Sequence, residues 1–279
     1  MYIPVCRFGG RTLENVGIAF LFTLFAGLAT GVGSLLAFFA KTTNTKFLSF
    51  ALGLSAGVMI YISMIEIFFK AKDSLIAALG ETEGYVATVI AFFAGMLLIG
   101  AIDKFIPTYS NPHEVKKVED MEKPGKAIND PDLMKMGVFT ALAIAIHNFP
   151  EGIATFISTL QDPSIGFAIA VAVAIHNIPE GIAVSVPIYY ATGNRRKAFG
   201  LSFLSGLAEP LGAFLAYLVL MPFINDMVFG ILFAMVAGIM VFISLDELLP
   251  AAKRYDETHL SIYGVIVGMA IMAASLIFL

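Results

Sequence analysis

The sequence predicts an all-α integral membrane protein of eight transmembrane helices. Three observations carry that expectation. The 279 residues are 58% hydrophobic and 14% charged, with a mean hydropathy of +0.87, more apolar surface than a soluble domain of this length can bury. Apolar stretches near the roughly 20 residues needed to cross a bilayer recur along the chain. Strict alternation of apolar and polar residues, the mark of a membrane β-barrel, is absent.

The spans fall at about 15–40, 47–69, 84–104, 135–160, 164–190, 198–220, 227–250 and 260–279. Each is a continuous apolar run bounded by charged, Gly or Pro residues. The connections are short except 105–134, where Pro107, Pro112, Pro124 and Pro131 mix with many charges. That stretch reads as a loop and not a domain. The whole chain, 1–279, is one transmembrane domain. It divides into a three-helix unit (1–104), the loop, a central helix pair (135–190) and a second three-helix unit (198–279). Cys6 is the single cysteine, so there is neither an internal disulfide nor a thiolate cage. Residues Met1 to Arg11 are too polar for a signal peptide, and no cleaved segment is expected. With no tryptophan, interfacial anchoring falls to Tyr and Phe. The net charge of −4 says little of partners, and nothing points to nucleic acid.

Orientation follows from lysine and arginine, which favour the cytoplasmic side. The loops after spans 1, 3, 5 and 7 hold 13 of them, among them Lys41, Lys104, Lys117, Arg195, Arg196 and Arg254. The opposite face holds Arg7, Arg11, Lys70 and Lys72. Both termini are therefore expected outside, with loop 105–134 cytoplasmic, in a multi-pass protein of the cell's inner membrane.

Two internal repeats add to this frame. Ala56-Gly-Val-Met59-Ile-Tyr-Ile-Ser63-Met-Ile-Glu66 matches Ala237-Gly-Ile-Met240-Val-Phe-Ile-Ser244-Leu-Asp-Glu247 at an offset of 181 (247 − 66). The same offset carries span 1 onto span 6, and span 3 onto span 8 and slightly past the end. Partner spans run in opposite directions, which gives a 3+2+3 inverted repeat, a plan common among secondary transporters with a midplane site.

The second repeat lies in the central pair. Residues 145–154 read Ala-Ile-His-Asn-Phe-Pro-Glu-Gly-Ile-Ala, and 174–183 read Ala-Ile-His-Asn-Ile-Pro-Glu-Gly-Ile-Ala. Histidine, asparagine and glutamate inside hydrocarbon are costly, and such residues mark substrate and ion pathways. On a helix, His147 and Glu151 share a face, as do Asn148 and Glu151. His176, Asn177 and Glu180 repeat that geometry. Pro150 and Pro179 remove a backbone N–H and crowd the carbonyls of Ile146 and Ile175, which predicts kinks. Gly152 and Gly181 permit close helix approach. Two facing copies supply two imidazoles, two carboxylates and two amides, enough for one divalent ion or for two neighbours. That donor set suits Zn²⁺, Fe²⁺, Mn²⁺ and Co²⁺ better than Cu⁺ or Ca²⁺. The bland alternative is a pair of proline-kinked helices joined by hydrogen bonds.

Other acids extend the pattern. Glu209 precedes Pro210 near mid-depth of span 6, and its repeat position at offset 181, Leu28, is not acidic. Glu66 falls near the outer end of span 2, and Asp246 and Glu247 near the inner end of span 7. These three fit relays for access and release of an ion, or equally interfacial caps. Met59 and Ser63 are candidates to face the site. His113 and His259 are expected to be solvated.

At these residues the chain resembles the ZIP family of divalent-metal transporters, and most of all its bacterial ZupT-like branch. The resemblance rests on His147-Asn-Phe-Pro-Glu151-Gly, His176-Asn-Ile-Pro-Glu180-Gly and Glu209-Pro, and runs across all eight spans. It implies a metal site between spans 4 and 5 and movement of metal into the cytoplasm. It implies that His147, Glu151 and Glu180 hold one ion, with Met59 completing that shell. It implies that Asn148, Asn177 and Glu209, with the shared glutamates, hold or assist a second. Members of the branch tend to take zinc and also iron, cobalt or manganese. The His-rich loop that many members carry between spans 3 and 4 is reduced here to His113, which leaves a sensing or loading role for it without support.

The leading expectation is a carrier that takes up divalent metal by alternating access, with no cofactor beyond the transported ion. A passive metal channel is the alternative, since the same ligands can line a pore. A membrane metalloenzyme fits poorly: His-Glu-x-x-His is absent, and four histidines are too few for the histidine-rich sites of membrane oxygenases. A homodimer is a further expectation, with Gly27, Gly31 and Gly95 as packing points.

Overall fold

The computed structural model describes residues 15–39, 45–105, 131–220, 223, 225–254 and 259–278. Among these residues the chain is helical almost throughout. Eight rods follow one another: α1 (Val16–Phe39), α2 (45–79), α3 (Glu81–Phe105), α4 (Pro131–Gln161), α5 (Pro163–Thr192), α6 (195–220), α7 (226–254) and α8 (Leu260–Phe278). Seven of them are long and apolar enough to cross a membrane. The eighth, α4, has 31 residues, about 46 Å at the helical rise, and carries the first polar motif. The long loop and its His113, the N-terminal segment and Cys6 lie outside the described residues.

Turn chemistry sets the connections. Gly80, with φ +94°, is the one residue between α2 and α3, and its N–H closes on the Ile76 carbonyl at 2.8 Å. A left-handed φ of this kind favours glycine. Asp162 alone joins α4 to α5, where its side chain caps Ser164 N at 2.9 Å and Pro163 opens the helix. Gly193 ends α5 in the left-handed region, and the Asn194 side chain caps α6 through Arg196 N and Lys197 N. Asn225 caps α7 through Val228 N at 2.9 Å.

The main departure from the sequence expectation is α2, which continues to Leu79 instead of ending near 69. Lys70, Lys72 and Asp73 made 70–83 read as a loop. Ala71 and Leu75 are fully buried there, and Leu75 packs against Gly230 of α7. Tertiary burial of one face therefore extends the helix through a polar run. Glu66 is thus inside a helix that runs another three turns, and it pairs with Lys70 at 3.0 Å.

Three rods contain π-helical turns: Ser63–Ile67 in α2, Ala216–Leu220 in α6 and Ser244–Leu248 in α7. Each inserts an extra residue into the ladder, a feature frequent at functional sites. In α6, regular helix is also interrupted at Leu207. Pro210 accounts for that break, since its ring crowds the Gly206 carbonyl four residues back. Glu209 falls in the first turn of the segment that follows, Ala208–Leu215.

Glycines set the closest helix approaches. A Cβ on Gly33 would strike the Ile178 carbonyl, and one on Gly181 the Thr30 carbonyl, which seats α1 on α5. Gly152 meets the Glu209 carbonyl and Gly212 the Phe149 carbonyl, which seats α4 on α6. Gly57 and Gly268 join α2 to α8 at the carbonyls of Val265 and Leu54. Gly238 and Gly95 join α7 to α3 at those of Phe92 and Met235. The glycines named as dimer packing points are thereby used within the protomer: Gly27 abuts Gly206, Gly31 abuts Phe203, and Gly95 abuts α7.

Candidate functional site

α4 and α5 pack side by side and bring the two motifs face to face. The motif residues His147, Asn148, Glu151, His176, Asn177 and Glu180, together with Glu209, are each 1% exposed or less. The site is therefore closed to solvent on every side. Both prolines sit within continuous helix, with the turns before them bearing the histidines.

The imidazoles and carboxylates pair crosswise. His147 Nε2 lies 2.8 Å from Glu180 Oε1, and His176 Nε2 lies 3.0 Å from Glu151 Oε2. His176 Nε2 is also 3.8 Å from Glu180 Oε1 on its own helix. Each histidine thus reaches the glutamate of the other motif more closely than the one four residues on. With its nitrogen turned toward them, the Asn148 amide stands 3.2 Å from Ile144 O, His147 Nε2 and Glu180 Oε2. Asn177 behaves differently. Its Nδ2 donates to Ala26 O of α1 at 2.9 Å and to Glu209 Oε1 of α6.

This arrangement leaves three buried oxygens without a hydrogen-bond donor: Glu151 Oε1, Asn177 Oδ1 and Glu209 Oε2. A buried acceptor left unpaired costs about 1–3 kcal/mol. Glu209 is near enough to Glu151 and Glu180 to interact with both electrostatically. Carboxylate oxygens held this close together in a water-free interior call for a positive charge. Among the described residues no three His, Cys, Asp or Glu side chains surround a common point. The geometry here is that of crossed pairs.

The remaining sequence candidates fall around this core. Met59 of α2 is buried and lines a small cleft together with His176. Glu247 is 6% exposed and close enough to His147 to interact with it electrostatically. Asp246, its neighbour in the same π turn, is exposed. Glu66 is half-buried and bound to Lys70 at 3.0 Å. His259 is exposed, with φ +61° at the start of α8.

Sequence reasoning left out three features. Ser34 Oγ donates to Ser202 Oγ at 2.6 Å, and Ser202 Oγ donates in turn to the Gly181 carbonyl at 3.2 Å, fastening α1 and α6 to the second motif. Thr30 places its carbonyl against Gly181 as Glu209 does against Gly152. Met240 lines the cleft together with Met59. Only Met240 had a signal in the chain, its match to Met59 at offset 181.

Comparison with known proteins bears on this geometry. The family model for the ZIP zinc transporter matches residues 110–276. The chain belongs to the ZIP family. Relatives named "Zinc transporter ZupT" include three from different bacteria. The protein from Oceanobacillus iheyensis is 79% identical over 267 residues, covering 96% of this chain and 100% of its own. That from Lysinibacillus sphaericus is 72% identical, covering 95% and 98%. That from Clostridium perfringens is 60% identical, covering 96% and 98%. Members of this family are membrane transporters and not enzymes, which excludes the metalloenzyme reading.

Proposed function

We propose that this chain carries divalent metal, zinc foremost, across the inner membrane into the cytoplasm, through the site between α4 and α5. The observation that carries the proposal is the crossed pair of buried His–Glu contacts. Two ligands at about 2.0 Å from a tetrahedral zinc stand about 3.3 Å apart. The His–Glu spacings of 2.8, 3.0 and 3.8 Å bracket that value. Taking up an ion then requires the side chains to turn toward a common centre, with little change in their separation. His147, His176, Glu151 and Glu180 supply nitrogen and carboxylate ligands for one ion. Glu209, Asn177, Asn148 and the spare oxygen of Glu151 form a harder, oxygen-rich set beside it. Such a mixed set admits iron, cobalt and manganese as further substrates.

The proposed architecture is a 3+2+3 inverted repeat with both termini outside. The glycine contacts support it because they recur in matched pairs. Gly181 on Thr30 matches Gly152 on Glu209, and Gly33 on Ile178 matches Gly212 on Phe149. The motif positions differ by 29 (181 − 152) and the flanking ones by 179 (209 − 30 and 212 − 33). Gly57 on Val265 matches Gly238 on Phe92, and Gly268 on Leu54 matches Gly95 on Met235. Here the shifts are 181 (238 − 57 and 235 − 54) and 173 (265 − 92 and 268 − 95). The counterpart of Glu209 in this register is Thr30 and not Leu28. The third pair of helices is offset by 173, which removes the overhang past the C-terminus.

In this scheme metal arrives from outside past Glu66, exchanges its water for the histidines and glutamates, and leaves past Glu247 and Asp246. Full burial of the motifs corresponds to an occluded state, open to neither side. The test is zinc uptake by proteoliposomes holding the pure protein, beside Glu151→Ala and Glu180→Ala. Saturable uptake lost in both folded variants is the expected result. Uptake that survives both would make the doubled motif structural, and single-channel currents would replace the carrier by a channel.

A further inference from the structure

The two motif glutamates are gripped alike by backbone and unlike by side chains. On α5, residues 178–181 hold Pro179 and Glu180. Gly33 of α1 abuts the Ile178 carbonyl there, and Gly181 abuts the Thr30 carbonyl. On α4, residues 149–152 hold Pro150 and Glu151. Gly212 of α6 abuts the Phe149 carbonyl, and Gly152 abuts the Glu209 carbonyl. To this common grip the second motif adds a hydroxyl latch. Ser202 Oγ of α6 donates to the Gly181 carbonyl at 3.2 Å. Ser34 Oγ of α1 donates to Ser202 Oγ at 2.6 Å and itself stands 3.2 Å from that carbonyl. Both serines are fully buried. A helix carbonyl has a second lone pair beside the one used in its own helix, and the latch fills it. The places that would carry a latch at the first motif do not. At the offset of 179 that matches the glycine contacts of α1 and α6, Ser34 corresponds to Ala213, which has no hydroxyl. Ser202 corresponds to Thr23, whose hydroxyl donates to Ala19 O of its own helix at 2.7 Å. The glutamates differ in step. Glu180, next to the latched residue, meets both histidines and the Asn148 amide. Glu151, next to the unlatched Gly152, meets His176 and keeps Oε1 unbonded.

We propose that Ser34 and Ser202 are positioning residues: by holding the Gly181 carbonyl they fix the Glu180 carboxylate, which makes the second motif the rigid half of the ion site and the first motif the half that adjusts to the ion. Neither serine touches the ion. They act through the backbone of the residue that follows Glu180, from two other helices at once. A ligand held in place before the ion arrives loses less freedom on binding it. Groups that orient a metal ligand from behind contribute about 10–100-fold to affinity, and a latch acting one residue away falls at the lower end. The inference rests on the metal-transport reading above, and the test separates the two.

The full chain is titrated with zinc by calorimetry in detergent, cobalt(II) is bound so that its visible absorption reads ligand geometry, and zinc uptake is followed in proteoliposomes. The variants are Ser34→Ala and Ser202→Ala, singly and together, and Thr23→Val, which removes the corresponding hydroxyl beside the first motif. Either serine alone keeps a hydroxyl 3.2 Å from the Gly181 carbonyl. Each single change should therefore raise the zinc Kd by about threefold or less, within the worth of one hydrogen bond. The double change should raise it by about tenfold or more and shift the cobalt absorption. It should raise KM for uptake by a similar factor with the maximal rate within about twofold, the pattern of lost binding. Thr23→Val should leave Kd, KM and the absorption as they are. A latch that only packs helices would lower the melting temperature of the double variant and leave zinc Kd and cobalt absorption unchanged, and that result overturns the proposal. An equal loss of zinc affinity in Thr23→Val overturns it too, as does a fall in maximal rate at unchanged Kd. If the double variant does not fold, the cobalt absorption of Ser202→Ala decides, a shift supporting the proposal and a wild-type spectrum overturning it. Unaltered protein that binds no zinc would sink the transport reading before any variant is compared. Latch-dependent zinc binding by a protein that moves no metal would sink that reading and keep the positioning role.

Discussion

Gly152→Ala tests whether backbone contact between α4 and α6 holds the site in place. The added Cβ would fall on the Glu209 carbonyl, within a residue whose side chain takes part in the site. Non-bonded carbon contacts are optimal at about 3.5 Å, so α4 and α6 must part by on the order of 1 Å. Overpacking of this kind costs about 1–3 kcal/mol. The functional loss should be larger than the stability loss. Glu151 lies one residue before the new methyl group, and Glu209 carries the carbonyl it strikes, so both site carboxylates move. A misplacement of about 1 Å in a positioned constellation can lower rate about 10²-fold. Gly200→Ala is the control: nothing lies within 4 Å of its Cβ, and it sits in regular helix of α6. There the substitution should stabilise by about 0.5–1 kcal/mol. The assay is zinc uptake normalised to folded protein, with helix melting followed by circular dichroism. Gly152→Ala that melts slightly early but takes up metal about 10²-fold more slowly is the expected outcome. Unchanged uptake would mean that this approach does not position the site, and the argument from matched glycines would lose its functional content.

Two further outcomes follow from the same geometry. Glu180 meets both histidines and the Asn148 amide, whereas Glu151 meets His176 alone and keeps one oxygen unbonded. Glu180→Gln should therefore weaken zinc binding more than Glu151→Gln, by the roughly 1.5–3 kcal/mol of one charged hydrogen bond; calorimetric titration of both variants checks the order, and the reverse order would refute it. On the proposed topology, with both termini outside, Cys6 should react with a membrane-impermeant maleimide applied to intact spheroplasts. A cysteine replacing Lys197 in a Cys6→Ser background should react only after permeabilisation, and the opposite pattern would invert the topology.

The sequence made the helices and the central motif legible because each is a local signal. An apolar run fixes a span, and a motif stated twice in apolar surroundings marks a site. Seven of the eight rods begin and end within four residues of the apolar boundaries. The exception, α2, escaped because burial of Ala71 and Leu75 against α7 is a tertiary event that the charges of Lys70, Lys72 and Asp73 conceal. The histidine and glutamate of each motif were expected to share a face, and they do. That each histidine prefers the glutamate of the other helix could not be read, since it depends on how α4 and α5 face each other. The register of the outer helices was likewise hidden. A single offset of 181 fits α2 and α7, but the glycine contacts match α1 to α6 at 179 and α3 to α8 at 173, the latter because α2 runs on to Leu79 while α7 ends at Arg254. The match of Met59 and Met240 was available in the aligned repeat, but that both line one cleft could not be read from it.

The matched contacts also isolate what is unmatched. Thr30 and Glu209 hold equivalent places, each giving its carbonyl to a motif glycine. One bears a hydroxyl, the other a carboxylate, and both are fully buried. Thr30 Oγ1 has no hydrogen-bond partner, while Glu209 accepts from Asn177. This single difference explains why the two asparagines part company. Asn177 is drawn out to Glu209 and to the Ala26 carbonyl, and Asn148 stays with Glu180 and His147. Inverted halves make the two faces of a bundle equivalent in packing, but a cation responds to charge. On the proposed transport reading, one added carboxylate on the α6 side makes the two routes out of the centre differ in electrostatic energy even where their helices pack alike. In that reading the proposed inverted repeat supplies two interchangeable backbone arrangements, and Glu209 makes them unequal for the ion.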